Sequence, residues 1–128
     1  MGSILLVDDS RVVREVLKVY LIPRGVELTE AADGVEALAM IQRSVPDVVI
    51  ADLRMPRLDG AELCQALRNH PRTLGIPVVI LSSNLTDESA ARCLNAGAAG
   101  VLRKPVDPKR LLAELERVSP SFRGAAAP

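Results

Sequence analysis

Four runs of strand length, residues 4–7, 48–51, 78–81 and more weakly 100–103, carry almost no polar side chain. Strands that are apolar on both faces are expected where helices cover both sides of a sheet. A fifth segment, Val26-Glu27-Leu28-Thr29-Glu30, alternates instead, which suits a sheet edge with one partly wet face. Between these runs the spacing turns helical and start signals appear. Ser10 is placed to cap a helix whose inward face would be Val13, Val16, Leu17, Tyr20 and Leu21, ending at Pro23 and Gly25. Asp33 with Glu36, and Asp59 with Glu62, have the spacing of a capping box. Thr86 with Asp87 and Glu88 opens a fourth helix carrying Ala90, Ala91 and Leu94 as its apolar residues, closed at Asn95-Ala96-Gly97. Asp107-Pro108 opens a fifth, with Leu111, Leu112, Leu115 and Val118 inward.

Strand then helix, five times over, predicts an α/β fold: a doubly wound parallel sheet with helices on both faces. Right-handed crossovers bring all five strand C-termini to one edge, where open sheets of this kind bind ligands. The domain is expected to span residues 1–118. Residues 119–128, rich in Ser, Pro, Gly and Ala, read as a flexible tail or the start of a truncated linker.

Composition narrows the function. The 128 residues suffice for one core, and 48% of them are apolar. Tyr20 and Phe122 are the only aromatic residues, so stacking on bases is not expected. Lys+Arg and Asp+Glu both number 16, so no global charge excess would drive the chain onto nucleic acid or an anionic membrane. Cys64 and Cys93 lack metal-ligand or redox spacing and read as small apolar fillers in a reduced compartment. With no long apolar run and no signal-like N-terminus, a cytoplasmic protein is expected.

The charges at the strand ends carry the chemistry. Asp8 and Asp9 follow the first strand, Asp52 ends the third, and Lys104 follows the fifth. Carboxylates brought to one edge repel each other unless a hard cation such as Mg²⁺ joins them. Ser82 ends the fourth strand and could present a hydroxyl to the same place. A cation, a carboxylate nucleophile, an ammonium and a hydroxyl make a site for phosphoryl transfer. Asp52 is the best nucleophile, because it ends a central strand and precedes a long loop, residues 53–60.

These pieces, Val7-Asp8-Asp9-Ser10, Ala51-Asp52-Leu53-Arg54-Met55-Pro56 with Asp59-Gly60, Pro77 through Ser82, Ala96-Gly97-Ala98 and Lys104-Pro105, resemble the receiver domain of two-component response regulators, the CheY-like family. The resemblance runs from Ile4 to about Val118. It implies a flavodoxin-like fold of five strands in order 2-1-3-4-5 with five helices. It implies that Asp52 is the phosphoacceptor, served by a histidine kinase or histidine phosphotransfer protein, and that phosphorylation alters binding to an output protein or domain. It further implies Mg²⁺, or Mn²⁺, held by Asp9, Asp52 and the backbone carbonyl of Arg54, with Asp8 acting through water. By the same pattern Ser82 is the switch hydroxyl, Lys104 pairs with the phosphoryl group, and Arg54 and Asn84 flank it. The chain would act as a switch and not turn over a separate substrate. In one respect it departs from the pattern: Val101 stands where an aromatic residue is common, so a ring cannot relay the signal. Arg92, Arg103, Lys109, Arg110 and Arg117 fall on the fourth helix, fifth strand and fifth helix, and read as a solvated basic face. His70 is expected to meet the last carbonyls of the third helix.

Overall fold

The computed structural model describes residues 2–122. Its elements are β1 (Ser3–Val7), α1 (Arg11–Leu21), β2 (Glu27–Ala31), α2 (Gly34–Arg43), β3 (Val48–Asp52), α3 (Gly60–Arg68), β4 (Val78–Ser82), α4 (Asp87–Asn95), β5 (Gly100–Arg103) and α5 (Pro108–Val118). Short 3₁₀ turns follow α1 at Ile22–Arg24 and α5 at Pro120–Phe122. All pairings are parallel and the sheet order is β2-β1-β3-β4-β5. This is the flavodoxin-like order, with the alternating segment β2 at one edge.

Pleating divides the core into two layers. Leu5, Val7, Val49, Ala51, Val78 and Ile80 pack with Ala37 and Ile41 of α2, Ala61, Leu63, Cys64 and Leu67 of α3 and Cys93 of α4. Ile4, Leu6, Val48, Ile50, Val79 and Leu81 pack with Leu17 and Leu21 of α1 and Leu111, Leu112 and Leu115 of α5. Each helix therefore has a fixed side of the sheet, and the winding reverses between β1 and β3.

The caps set where each helix begins. Ser10 Oγ accepts from Val13 N at 3.3 Å and Asp33 Oδ1 from Glu36 N at 2.8 Å. Asp59 with Glu62, and Thr86 with Ser89, form complete capping boxes. Such caps stabilise a helix by about 1 kcal/mol each. Asp107 precedes Pro108 but its side chain makes no capping bond.

Two expectations need correction. Val16 is exposed, and so are Val12 and Val19, at 73% and 70%, while Val13 and Tyr20 only partly enter the core. α1 thus shows an apolar stripe to solvent as well as one to the sheet. On α4 the buried residue is Cys93, with Leu94 one helical step away and exposed. Beyond α5, Ser119 is buried and Phe122 is fully buried against the α1/α5 layer, so the chain does not become a tail at residue 119. A large aromatic side chain one turn past the helix end gains more from burial than the short connection loses in entropy. Residues 123–128 of the expected tail lie outside the described residues.

Candidate functional site

At the C-terminal edge of the sheet, strand register alone brings the candidate residues together. Val7, which precedes Asp8, pairs with Ala51, which precedes Asp52; Asp52 pairs with Leu81, which precedes Ser82; Ser82 pairs with Arg103, which precedes Lys104. Asp8 thus stands level with Asp52, and Ser82 and Lys104 each lie one residue past the partner of the neighbouring site residue. The strands are locked there by Leu53 N donating to Leu81 O at 3.0 Å and Lys104 N donating to Ser82 O at 2.9 Å. The Lys104–Pro105 peptide is cis.

Asp8, Asp9 and Asp52 each offer a carboxylate oxygen, all within 4.8 Å of one another. At that separation each pair repels by roughly 3 kcal/mol at an effective dielectric of about 20. Lys104 offsets part of this, its Nζ lying 2.9 Å from Asp8 Oδ2 and 3.2 Å from Asp52 Oδ1. One ammonium still faces three carboxylates. Burial, and then the Asp8 charge, push the Asp52 carboxyl above the usual range; Lys104 counters them and Asp9 adds to them. Burial also works against the Lys104 ammonium, but its hydrogen bond to Asp8 and the charges of Asp8 and Asp52 outweigh it and raise its pKa.

Asp8 is buried and Asp9 exposed, so the pair places one carboxylate inside the site and one at its mouth. The other Asp8 oxygen, Oδ1, accepts from Ser10 N at 2.9 Å. Ser82 is buried, and its hydroxyl has no hydrogen-bond partner among the described residues. An unpartnered buried hydroxyl costs about 1–3 kcal/mol, which marks a place where a partner is due.

The loop after β3 is held from below. A Cβ on Gly60 would lie 2.6 Å from the Asp52 carbonyl oxygen, so only glycine lets α3 start this close to the end of β3. Gly60 N donates to Leu53 O at 3.0 Å. Arg57, with a left-handed φ of 69°, reaches Asp33 at 2.6 Å, and Asp59 receives Arg92 of α4 at 2.8 Å. Arg54 lies on this loop with its side chain exposed, and Asn84, after β4, is also exposed.

The donor set fits a small hard cation: three carboxylates converge, and the one ammonium present cannot neutralise them. Sequence reasoning missed Arg14, whose guanidinium donates from Nη1 to the Asp8 carbonyl and from Nε to Glu30 Oε1 at 3.0 Å. Its only sequence signal is its place one turn into α1, which it shares with nearby residues. The basic face is exposed, as expected, but three of its arginines also hold partners within the chain. Arg92 pairs with Asp59, Arg103 donates to Leu85 O, and Arg117 binds Glu114 and Ala99 O. His70 is exposed, and the hydroxyl of Thr73 is the group that meets the Leu67 carbonyl at the end of α3. Burial raises the Cys64 and Cys93 thiols, in keeping with their role as fillers.

A charged crevice at the switch point of a 2-1-3-4-5 sheet is shared by a whole class of signalling domains, and residues 4–116 match the family model of the response regulator receiver domain. The chain belongs to that family, the receiver domains of two-component systems. Among its relatives, response regulator MprA of Mycobacterium sp. strain KMS is 42% identical over 121 residues, covering 91% of this chain and 52% of MprA. The chain therefore spans about half the length of the curated relatives it matches. Chemotaxis protein CheY4 of Vibrio cholerae superposes with a TM-score of 0.86 at 37% identity, covering 92% of this chain and 98% of CheY4. The receiver domain of the sensor histidine kinase PA1611 of Pseudomonas aeruginosa PAO1, solved with a magnesium ion in its active-site cleft, gives 0.84 at 31% identity, covering 91% of this chain and 95% of that one. No helix among the described residues is long and apolar enough to cross a membrane.

Proposed function

We propose that this receiver domain takes a phosphoryl group onto Asp52 from a phosphohistidine of a histidine kinase or phosphotransfer protein, and thereby changes its affinity for an output protein or domain. The observation that carries the reading is the buried, unpartnered Ser82 hydroxyl beside a carboxylate cluster that one lysine cannot neutralise. Resting, the site holds one polar group too many; phosphorylated, it supplies that group with an acceptor.

Asp9, Asp52 and the carbonyl of Arg54 are the residues that would hold Mg²⁺, or Mn²⁺ in its place, with Asp8 acting through water. When bound, the ion supplies positive charge to the equatorial oxygens of the transferring group and relieves the repulsion among the carboxylates. The chain's own residues do the rest. An oxygen of ionised Asp52 attacks phosphorus in line with the departing imidazole nitrogen; the O–P bond forms as the P–N bond breaks. Lys104, already 3.2 Å from Asp52, pairs with the arriving anion, and Ser82 donates its hydroxyl to it. Phosphorylation thus draws Ser82 and residues 83–87 toward Asp52. Val101, partly buried against the α2/α3/α4 layer, does not relay the change. The domain is consumed and regenerated at one carboxylate and does not process a separate substrate.

The test is incubation with Mg²⁺ and acetyl phosphate, read by intact mass. The parent gains one phosphoryl adduct and Asp52→Asn gains none. An unmodified parent, or an equally modified variant, refutes the assignment.

A further inference from the structure

We propose that Arg14 is a positioning residue for the two acidic ligands of the site, acting through the carbonyl oxygen of Asp8. This rests on the reading of Asp8 and Asp9 as the residues that receive the cation.

Asp8 is tied on every side. Its amide donates to Ala31 O of β2 at 3.1 Å, Oδ1 accepts from Ser10 N, Oδ2 accepts from Lys104, and its carbonyl accepts from Arg14 Nη1. The last bond differs in what it fixes. The Asp8 carbonyl belongs to the peptide plane that joins Asp8 to Asp9, and a peptide plane moves as a unit. Holding that oxygen sets the direction in which the exposed Asp9 carboxylate leaves the chain. Among the described residues no hydrogen bond to the Asp9 carboxylate is seen that could do this in its place.

Arg14 is itself held. Its side chain is only 16% exposed, and its Nε donates to Glu30 Oε1 while Lys18 occupies Glu30 Oε2 at 3.0 Å. The hydrogen bond from Lys18, with further help from Arg14, keeps the Glu30 carboxyl below its ordinary range. A guanidinium with two of its donors fixed, one by β2 and one by the loop, has little freedom to turn. The chain of contacts therefore runs from Glu30 on the edge strand, through Arg14 on α1, to the peptide between the ligands.

Charge and geometry predict opposite signs here. By charge alone a guanidinium beside a cation site weakens cation binding, and its removal would tighten it. As the group that aims Asp9, its removal weakens binding, and loss of an outer contact of this kind typically costs about tenfold in metal affinity. Mg²⁺ is titrated into the metal-free protein by calorimetry, with Mn²⁺ and electron paramagnetic resonance as a second probe and thermal melting recorded alongside. Arg14→Ala is expected to bind Mg²⁺ about tenfold more weakly than the parent. Glu30→Gln should fall between the two, and the double variant should be no weaker than Arg14→Ala, because Glu30 acts through Arg14. Unchanged or tighter binding by Arg14→Ala, or additive losses in the double variant, overturns the proposal. If Arg14→Ala is unfolded at the measuring temperature, Arg14→Met, which keeps the apolar stem without the guanidinium, decides in its place: weakened binding supports the role, and unchanged or tighter binding ends it. A parent that takes up no Mg²⁺ overturns the ligand reading together with this one. A parent that binds while Arg14→Ala binds equally overturns this one only.

Discussion

Where β1 and β3 begin, polar groups are satisfied in pairs; where the strands end, they are not. At the lower edge Asp47 Oδ2 accepts from Ser3 N at 2.8 Å, and Asp47 N donates to Ser3 O at 3.0 Å. Phe122 closes the same edge, so near to Gly2 that a Cβ there would lie 2.7 Å from the ring. At the upper edge three carboxylates share one ammonium, and the buried Ser82 hydroxyl has no partner among the described residues. Both edges belong to one sheet with continuous cores on either side. Arg68 Nε, beside the start of β4, is the one buried exception at the lower edge among the described residues, whereas the upper edge gathers three like charges and an unpaired hydroxyl in one place, a concentration that is costly unless a ligand binds there.

Phe122 carries the largest single share of the packing at the lower edge. It is fully buried in the α1/α5 layer, so Phe122→Ala should lose about 3–5 kcal/mol of stability in urea unfolding. Mg²⁺ affinity and phosphorylation of the folded fraction should not change, since the ring lies at the opposite end of the strands. A loss below about 1 kcal/mol would show that the segment after α5 does not anchor the lower edge.

Asp52 tests the upper edge with the opposite sign. Its carboxyl is raised above the ordinary 3.8 by burial and then by Asp8, so the folded protein holds the proton to higher pH than the unfolded chain does. Stability without metal therefore declines as pH rises from about 4 through that raised value. Asp52→Asn lacks the decline and should be more stable than the parent by about 1 kcal/mol near pH 7, a few degrees in Tm. Lys104 keeps Asp8 at 2.9 Å in the variant, so no buried ammonium is orphaned. Melting curves from pH 4 to 8 in chelator should converge at the acid end; a variant less stable than the parent at pH 7 contradicts the account. Added Mg²⁺ should narrow the gap by stabilising only the parent.

How far the sequence showed this contrast depends on the residue. β1, β3 and β4 were legible because their apolar runs are too short for buried helices and are bounded by turn and cap signals, and Asp8, Asp52, Ser82 and Lys104 followed from their places at strand ends. α1 was ambiguous in phase, because Val12, Val16 and Val19 form a second apolar stripe beside the buried Leu17 and Leu21. Periodicity finds a stripe but cannot say which of two faces the sheet. On α4 small size decided against Leu94: Cys93 occupies the buried position, and α4 closes through Gly97 at φ 102°. The chain after α5 was judged by its Ser, Pro, Gly and Ala content, which hid the one residue that anchors it. Ion pairs such as Arg57 with Asp33 and Arg14 with Glu30 join residues 24 and 16 positions apart, and no local pattern shows them.

The smallest expected effect is the most particular to the upper edge. Removing a buried hydroxyl that has a partner usually costs about 1 kcal/mol or more, because the partner is left unpaired. The Ser82 Oγ has none among the described residues, so Ser82→Ala takes away an unsatisfied group and leaves no orphan. Its stability should lie within about 0.5 kcal/mol of the parent, or slightly above it. The cost should appear only on phosphorylation. Amide resonances of residues 83–87, which shift in the acetyl-phosphate-treated parent, should shift far less in Ser82→Ala although the adduct on Asp52 still forms. A variant destabilised by more than about 1 kcal/mol at rest would mean that the hydroxyl already has a resting partner. A full shift in its absence would mean that the loop answers to Lys104 or to the charge itself. Either result would remove the unpaired hydroxyl from the description of the upper edge and leave the carboxylates as its only unsatisfied groups.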